Sequence, residues 1–204
     1  MSLFSASVSI TRYKVEGQLE APLLETVAAA LKAHAIPDID DQSPEKVSGW
    51  TSFEKPYQPD FGGSSFVYGA YLIFSLRIDK KAIPSKVVQK HLMIESARRL
   101  TESGRQYLSR NEKQRIKDQV IDGLSLKIPA TPNVYDIIWN FEKSFLWFFS
   151  NLKAVNEELE TLFSKSFNIS LLRLFPYTTA ALSSGLSDSD RDVLLKSDPT
   201  HFIK

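Results

Sequence analysis

The residues best able to do chemistry are lysines and arginines concentrated in the middle of the chain. Residues 77 to 127 hold 13 basic and six acidic side chains, a net charge of +7, whereas the rest of the 204-residue chain carries −6. The overall net charge of +1 therefore conceals a polarised molecule. Clustered Lys and Arg on one element are typical of proteins that bind the phosphate backbone of nucleic acid. A solvated pair of lysine-rich helices is the alternative, because charge runs on exposed helices are common.

The spacing of these residues on a predicted helix favours the binding interpretation. An apolar stripe at helical spacing consists of Ile116, Val120 and Leu124. Three cations fall within or beside that stripe nearer the helix start, namely Arg110, Lys113 and Lys117. A stripe that becomes cationic has left the core and faces solvent or an anionic partner. We therefore hypothesise that a helix pair projects from the body and contacts DNA phosphates, foremost through Arg105 and these three side chains. The full set of predicted DNA-binding residues is Lys80, Lys81, Lys86, Lys90, Arg98, Arg99, Arg105, Arg110, Lys113 and Lys117.

A long connection between residues 36 and 65 is rich in proline and leads into an aromatic cluster. The aromatic residues are Trp50, Phe53, Tyr57, Phe61 and Phe66, with Lys55 among them. Aromatics beside a cation can stack on the bases of single-stranded nucleic acid. Such residues more often fill a core beneath a long loop, and the sequence favours that interpretation.

Catalytic and metal-binding patterns are weak in this sequence. The chain has no cysteine, which excludes disulfides, thiolate metal sites and a cysteine nucleophile. The three histidines are far apart, and no serine lies in a recognisable nucleophile motif. Asp38, Asp40 and Asp41 form the one tight acidic cluster, which could hold Mg²⁺ but is favoured as a solvated loop. We expect neither an enzyme nor a cofactor, a metal or a small-molecule substrate.

The order of predicted elements indicates an α+β fold. Apolar and polar residues alternate from Met1 to Lys14, which predicts a first strand. Apolar residues recur at helical spacing from Leu24 to Leu31, which predicts a short helix. A central strand is expected from Phe66 to Arg77, followed by a helix that ends near Gly104. Ser109 and Glu112 form a capping-box pattern that predicts the start of a second helix, which ends near Leu124. A β-hairpin, a helix and a last strand complete the body. In the tail, a short helix is expected around Asp190 to Leu195. We expect a mostly antiparallel sheet with helices on one face and a projecting two-helix segment.

The chain divides by prediction into four parts. These are an N-terminal part of the body at 1–80, the projecting basic helices at 81–127, a β-β-α-β part at 128–176 and a tail at 177–204. The longest apolar stretch, from Phe66 to Phe74, is too short to cross a bilayer, and the first residues do not form a signal peptide. We therefore expect a cytoplasmic protein that has no contact with membranes.

The string from residue 83 to residue 129 resembles the middle of the RdgC family of recombination-associated DNA-binding proteins. The matching positions are Pro84, Val87, Val88, Glu95, Gly104, Arg105, Glu112, Lys113, Lys117, Val120 and Pro129. Gly49 and Trp50 upstream, Trp139, and the helix and strand from Leu152 to Leu174 extend the likeness to residues 1 to 176. Family members continue further at the C-terminal end, so the likeness is to a shortened relative. One departure is that Pro129 is followed by Ala130 and Thr131 where the family has an aromatic near an arginine, so no DNA contact is expected from that position.

The resemblance implies a non-enzymatic DNA-binding protein of the bacterial nucleoid. It also implies a ring-shaped homodimer that encloses duplex DNA and limits access of the RecA recombinase. The predicted function is therefore largely sequence-independent binding to the DNA backbone. Two alternatives stay open. One is a protein interaction module that has lost DNA binding and whose binding surface is formed by the aromatic loop and the predicted β-hairpin. The other is a metal-dependent nuclease that uses Asp38, Asp40 and Asp41.

Overall fold

One curved antiparallel sheet forms the centre of the protein. A computed structural model describes residues 3, 5–40, 44–183 and 185–197. The strands are β1 (Thr11–Glu16), β2 (Lys46–Thr51), β3 (Val67–Tyr68), β4 (Tyr71–Lys80), β5 (Thr131–Asn140), β6 (Phe145–Phe148) and β7 (Ser170–Leu174). Their order across the sheet is β2-β4-β5-β6-β1-β7, with the short β3 paired to β4 beside this path. Strand β1 lies between β6 and β7 and pairs with both in antiparallel fashion.

Six helices accompany the sheet in the described part of the chain. They are α1 (Leu23–Ala33), α2 (Ser85–Ser103), α3 (Arg110–Ser125), α4 (Lys153–Phe167), α5 (Pro176–Ser183) and α6 (Asp188–Lys196). Helices α1 and α4 pack together on one face of the sheet, α1 through Val27 and Leu31, which are fully buried. Helices α2 and α3 pack mainly against each other. The predicted α+β class, with helices on one face of an antiparallel sheet, is confirmed, and the four-part domain division stays a prediction.

Aromatic side chains fill the space between the sheet and α4. Trp50 of β2 meets Phe74 of β4 edge to face, with ring centroids 5.3 Å apart. Trp139 of β5 meets Phe163 of α4 in the same way at 5.2 Å. The Trp50 indole nitrogen donates a hydrogen bond to Ser166 Oγ at 2.8 Å, so this buried polar group has a partner. Burial of these large rings joins α4 to three adjacent strands, β2, β4 and β5, and stabilises the body.

Two strand predictions were wrong in detail, and both errors arise from long-range pairing. The first strand begins at Thr11, because pairing with β6 and with β7 starts only there, at Thr11 and Arg12. Of the described residues before Thr11 none belongs to a strand, and Phe4 lies outside the described residues. Strand β2 was missed within the proline-rich connection, although it pairs with β4 over its whole length. At Gly49 an added Cβ would lie 2.4 Å from Ile36 Cα, so β2 passes close to the backbone that follows α1.

The strand predicted from Phe66 to Arg77 is interrupted by a tight turn. Tyr68 pairs with Tyr71, and the two residues between them form the loop of a hairpin. Gly69 has φ +62°, the left-handed conformation that a two-residue hairpin loop requires and that glycine adopts without strain. Strand β4 then lies in the interior of the sheet, between β2 and β5, as the apolar sequence on both faces predicted. Of the tail, α6 was expected and α5 was missed.

Candidate nucleic-acid interface

A helical hairpin of α2 and α3 carries most of the predicted binding residues. Helix α2 follows Pro84 and ends at Gly104, whose φ of +63° places it in the left-handed conformation common after a helix C-terminus. Helix α3 starts with the predicted capping box, in which Ser109 Oγ accepts from the Glu112 backbone N–H and the Glu112 carboxylate accepts from the Ser109 N–H. Local sequence signals therefore set the end of α2 and the start of α3. Their mutual packing leaves most of the hairpin surface in solvent.

One face of α3 presents three unpaired cations. Arg110, Lys113 and Lys117 follow one another at i, i+3 and i+7, a spacing that aligns them along the helix. All three side chains are exposed. Within the part of the chain that the structure describes, none of the three forms an ion pair with a carboxylate. We call these residues the α3 basic row. Ile116 is fully buried on the neighbouring side, where α3 packs on α2, so the packing of α3 fixes the direction of the row.

Three other predicted lysines are also exposed, at two different places. Lys86 and Lys90 lie one turn apart on α2. Helical geometry puts them on the side opposite Arg99, whose guanidinium donates to Gln119 of α3 at 2.6 Å. Lys80 is the last residue of β4 and faces solvent. Among the described residues, no carboxylate pairs with these three lysines.

The predicted arginines near the hairpin tip are engaged with carboxylates. Arg98 lies 2.7 Å from Glu95 and 3.6 Å from Glu102, and Arg99 lies 3.6 Å from Glu95. Exposed pairs of this kind contribute little stability, so an incoming phosphate can compete for either guanidinium. The acidic side chains nevertheless reduce the positive potential on this side of α2.

Arg105 pairs with the carboxylate that also caps α3. Its Nη2 lies 2.5 Å from Glu112 Oε1. The hydrogen bond from Arg105, with those from the Ser109 backbone and side chain, lowers the pKa of Glu112 to about 2. Arg105 is therefore tied to the start of α3 and is partly neutralised. This contact orders the α2–α3 turn next to the α3 basic row.

Lys81 does not belong to the surface that the sequence predicted. Only 3% of the residue is exposed, and its ammonium group donates to the carbonyl oxygens of Asp40 at 2.8 Å and Ser125 at 2.6 Å. Ser125 ends α3, where the helix dipole favours a cation. A buried ammonium held by main-chain oxygens cannot reach a phosphate, because the contacts that satisfy it would have to break. Lys81 joins the base of the hairpin to the body.

The aromatic residues of the long connection mainly fill the core. Trp50, Phe61 and Phe66 are buried, which confirms the interpretation that the sequence favoured. Tyr57 is the exception, because it is largely exposed with the Arg77 guanidinium carbon 5.5 Å from its ring centroid. Stacking of bases on the buried rings would require the core to open. The loop therefore offers no platform of several aromatic rings.

The acidic cluster is organised by hydrogen bonds to the backbone. Asp40 Oδ1 accepts from the Ala130 N–H at 2.8 Å, and Asp38 Oδ1 accepts from the Asp40 N–H at 3.0 Å. Asp41 lies outside the described residues. In the described ranges, no group of three His, Cys, Asp or Glu side chains is arranged to hold a metal ion. Asp40 therefore has a structural contact that joins the connection to β5.

A set of exposed aromatic residues on the sheet was not predicted as a site from the sequence. Tyr71, Phe145 and Trp147 lie on the face opposite α1 and α4. Phe145 and Trp147 are separated by one residue, and that alternation was the only local signal. Their proximity to Tyr71 depends on strand pairing.

Comparison with family models gives one match that covers most of the chain. Residues 8–184 match the family whose description reads "Putative exonuclease, RdgC". A search of curated proteins finds no match. Of the helices in the described ranges, none combines the length and apolar character needed to cross a membrane.

Proposed function

The chain belongs to the RdgC family, and from this premise we propose that it binds DNA through the phosphate backbone without an enzymatic step. The observation that carries the proposal is the α3 basic row of Arg110, Lys113 and Lys117, three aligned and exposed cations without carboxylate partners in the described structure. Side chains of this type contact phosphates regardless of base sequence. Lys80, Lys86 and Lys90 supply further positive charge.

The distribution of charge supports the same proposal. Residues 77 to 127 carry +7, and the remainder of the chain carries −6. A polyanion is attracted to the hairpin and repelled by the body, so this polarity orients the protein on DNA before contact. Pairing of Arg98, Arg99 and Arg105 with glutamates reduces the number of free cations but does not reverse the sign of the segment.

Fluorescence anisotropy with labelled duplex DNA tests the role of the α3 basic row. The triple variant R110A/K113A/K117A is compared with wild type over a series of salt concentrations. We expect weaker binding at every salt concentration and a salt slope reduced by about 2 to 3, because each lost phosphate contact removes about 0.9 from the slope. The matched control is K32A/K143A/K165A, which removes the same charge from exposed sites on the body.

Equal losses of affinity in the two triple variants would show that only total charge matters, and the proposed interface would then be wrong. Unchanged binding in the R110A/K113A/K117A variant would reject it as well. Circular dichroism of both variants establishes whether the helices remain folded, and all six substituted residues are exposed.

We further propose that the bound protein limits access of the RecA recombinase and acts as a homodimer on the nucleoid. Support for these finer roles comes from family membership alone. Addition of the protein to DNA before RecA should reduce DNA-dependent ATP hydrolysis by RecA, whereas the R110A/K113A/K117A variant should not. Sedimentation equilibrium should give twice the chain mass of 23.1 kDa.

We propose that the protein is not a nuclease. The contact of Asp40 with the Ala130 N–H supports this view, because a carboxylate oxygen engaged by the backbone is a poorer metal ligand. End-labelled duplex and single-stranded DNA should stay intact during incubation with Mg²⁺ or Mn²⁺. Progressive loss of label that disappears in an Asp38→Asn variant would instead support the nuclease alternative.

An interaction module is the second candidate function, and exposed apolar residues on the α2–α3 hairpin favour it. Met93 and Ile94 of α2 and Tyr107 of the turn are more than half exposed. Such residues on a projecting element are typical of a surface that contacts another protein. If no DNA binds at low salt, this candidate replaces the first.

A further inference from the structure

The outer face of the sheet, opposite α1 and α4, carries a set of exposed aromatic rings. Side chains alternate along each strand, so Phe74, Trp139 and Leu146 enter the core while their neighbours point outward. The outward set includes Tyr71 of β4 and both Phe145 and Trp147 of β6. Their exposed fractions are 36%, 43% and 40%. Strand β5 lies between β4 and β6, and it contributes Asn140 and Ile138 to the same face. Large aromatic residues at such exposure on one face of a sheet form a patch, and a patch of this kind marks a contact surface.

Strand register places these residues in two neighbouring rows across the sheet. In one row Tyr71 pairs with Asn140, which pairs with Phe145, which pairs with Lys14. The adjacent row contains Ile73, Ile138, Trp147 and Arg12 in the same strand order. Each row therefore runs from apolar or aromatic residues into a cation on β1.

The exposed rings of Tyr71, Phe145 and Trp147 are arranged so that a planar ligand can stack on them. The Tyr71 and Trp147 rings are nearly parallel, with an interplanar angle of 28° and centroids 6.3 Å apart. Phe145 belongs to the same strand as Trp147 and points to the same face. A planar ligand can lie on rings held in this way, and successive bases of a single strand stack on such aromatic side chains. Duplex DNA cannot, because its bases are already stacked on each other.

Positive charge lies next to these aromatic rings, on the side of β1. Arg12 is exposed and directly opposite Trp147, and a recess of about 470 Å³ is lined by Ile10, Arg12 and Trp147. Lys14 is half-buried and lies opposite Phe145, with Glu16 at 4.0 Å from its ammonium group. Two cations beside the rings are placed to meet the phosphates that link stacked bases.

Acidic groups elsewhere on this face are already occupied. Asp136 is buried and accepts hydrogen bonds from Ser75 Oγ at 2.8 Å and from the Leu3 N–H at 2.6 Å. Glu54 accepts from the Tyr68 hydroxyl at the far edge of the sheet. Among the described residues, Glu16 is the one carboxylate that forms an ion pair with either cation, and Arg12 forms none.

We propose that this outer face binds single-stranded nucleic acid, with unpaired bases stacked on Tyr71, Phe145 and Trp147 and phosphates bound by Arg12 and Lys14. The charge favours this occupant over a second copy of the chain. A two-fold contact would bring the cations of both copies into one interface, and in the described part of the chain Glu16 is the one carboxylate paired with them. The site lies on the body and is separate from the α3 basic row, so it goes beyond the proposed binding to duplex backbone.

Anisotropy of a labelled oligothymidylate tests the site directly. We expect Trp147→Ala and Phe145→Ala each to weaken binding by about tenfold, since one stacking contact is lost. Both variants should bind a duplex of equal length with unchanged affinity. Arg12→Ala should weaken binding of the single strand and reduce its salt slope by about 1.

Tyr57→Ala is the matched control, because it also removes an exposed aromatic ring. The Tyr57 ring contacts Arg77, six residues along β4 from Tyr71, which corresponds to about 20 Å at the rise of an extended strand. This variant should bind the oligothymidylate like wild type. Thermal unfolding of all four variants shows whether any loss of affinity reflects a loss of fold.

Tryptophan fluorescence gives a second measurement that depends on contact. The chain has three tryptophans, and Trp50 and Trp139 are buried, so quenching by iodide reports mainly on Trp147. Saturation with oligothymidylate should protect wild-type emission from iodide. In Trp147→Phe the nucleic acid should have no such effect, although binding itself persists.

The outcomes separate this inference from the proposed function. If Trp147→Ala and Phe145→Ala leave single-strand affinity unchanged while R110A/K113A/K117A weakens duplex binding, the face is not a binding site and the proposed function stands. If the sheet variants weaken single-strand binding while the triple variant binds duplex normally, the outer face is a binding site and the proposed role of the α3 basic row is wrong. Protection of Trp147 that rises with protein concentration in the absence of nucleic acid would identify the face as an interface between copies and overturn the inference.

Discussion

Lys81 illustrates how one side chain can hold two parts of the molecule together. Its ammonium group contacts the Asp40 carbonyl before β2 and the Ser125 carbonyl at the end of α3. Asp40 in turn accepts from the Ala130 N–H at the start of the segment that enters β5. These contacts converge where the hairpin meets the body. Burial strengthens each of them and makes loss of a partner unfavourable.

Replacement of Lys81 should therefore destabilise the protein. In Lys81→Met the apolar stem is kept, but two carbonyl oxygens lose a charged donor. We expect the free energy of unfolding, measured with urea, to fall by about 2 to 3 kcal/mol. Lys80→Met is the control, because the neighbouring side chain is exposed, and it should change stability by less than about 0.5 kcal/mol. Equal effects would mean that the contacts of Lys81 contribute nothing specific.

Glu112 makes the start of α3 sensitive to acid. Its hydrogen bonds with Arg105 and Ser109 lower its pKa in the folded protein to about 2. A carboxyl whose pKa is lower when folded stabilises the fold above its unfolded pKa and loses that contribution as the pH falls through its folded pKa. The stabilisation is therefore complete near neutral pH and disappears between about pH 5 and pH 2.

Glu112→Gln should lower the thermal stability of the hairpin at neutral pH. The difference from wild type should shrink as the pH falls from about 5 to about 2, where the wild-type carboxyl also becomes neutral. Circular dichroism melts across this range measure the effect. Glu142→Gln, at the exposed turn between β5 and β6, serves as control. A difference between Glu112→Gln and wild type that does not change with pH would contradict the assignment.

At the scale of elements, α2 and α3 depend on their end signals more than on packing. No residue of α2 is fully buried, and α3 buries only Ile116 and Ser125. A hairpin with so little core gains much of its order from the Gly104 turn and the Ser109 capping box. The orientation of the α3 basic row depends on the same features.

Two glycines of the hairpin should respond oppositely to substitution by alanine. Gly104 has φ +63°, so Gly104→Ala places a side chain in the left-handed conformation and should destabilise the hairpin by about 1 kcal/mol. Gly123 lies within α3, and an added Cβ would meet no atom within 4 Å. Gly123→Ala should stabilise the helix by about 0.5 to 1 kcal/mol. Hydrogen exchange of hairpin amides measures both, and changes of the same sign would be inconsistent with these helix boundaries.

The whole molecule is electrically polarised, and its function should follow from that polarity. The chain outside residues 77 to 127 carries a net charge of −6 and opposes DNA, whereas the α2–α3 hairpin and the cations of β1 attract it. Backbone contacts of this type carry no base information. The 204-residue chain should bind A·T-rich and G·C-rich duplexes of equal length with affinities within about threefold. Anisotropy titrations at one salt concentration measure this, and a difference of 100-fold would indicate that bases are contacted.

Local elements of this fold could be predicted because their signals lie within a few residues of one another. The capping box at Ser109, the stop at Gly104 and the apolar periodicity of α1 act through neighbouring backbone groups, and these predictions were confirmed. Strand β2 could not be found in the same way. Its residues become a strand only by pairing with β4, which follows the long connection.

The amino-acid sequence by itself determined the charge polarity and the alignment of Arg110, Lys113 and Lys117, because helical periodicity places residues i, i+3 and i+7 together without help from the rest of the chain. Tertiary structure decided that Lys81 is not a surface cation, because it buries this side chain against carbonyl oxygens 41 and 44 residues away in the chain. Only strand register brought Tyr71 beside Trp147. Burial and cross-strand contact depend on chain segments that are distant in sequence, and no local pattern encodes which segments will meet.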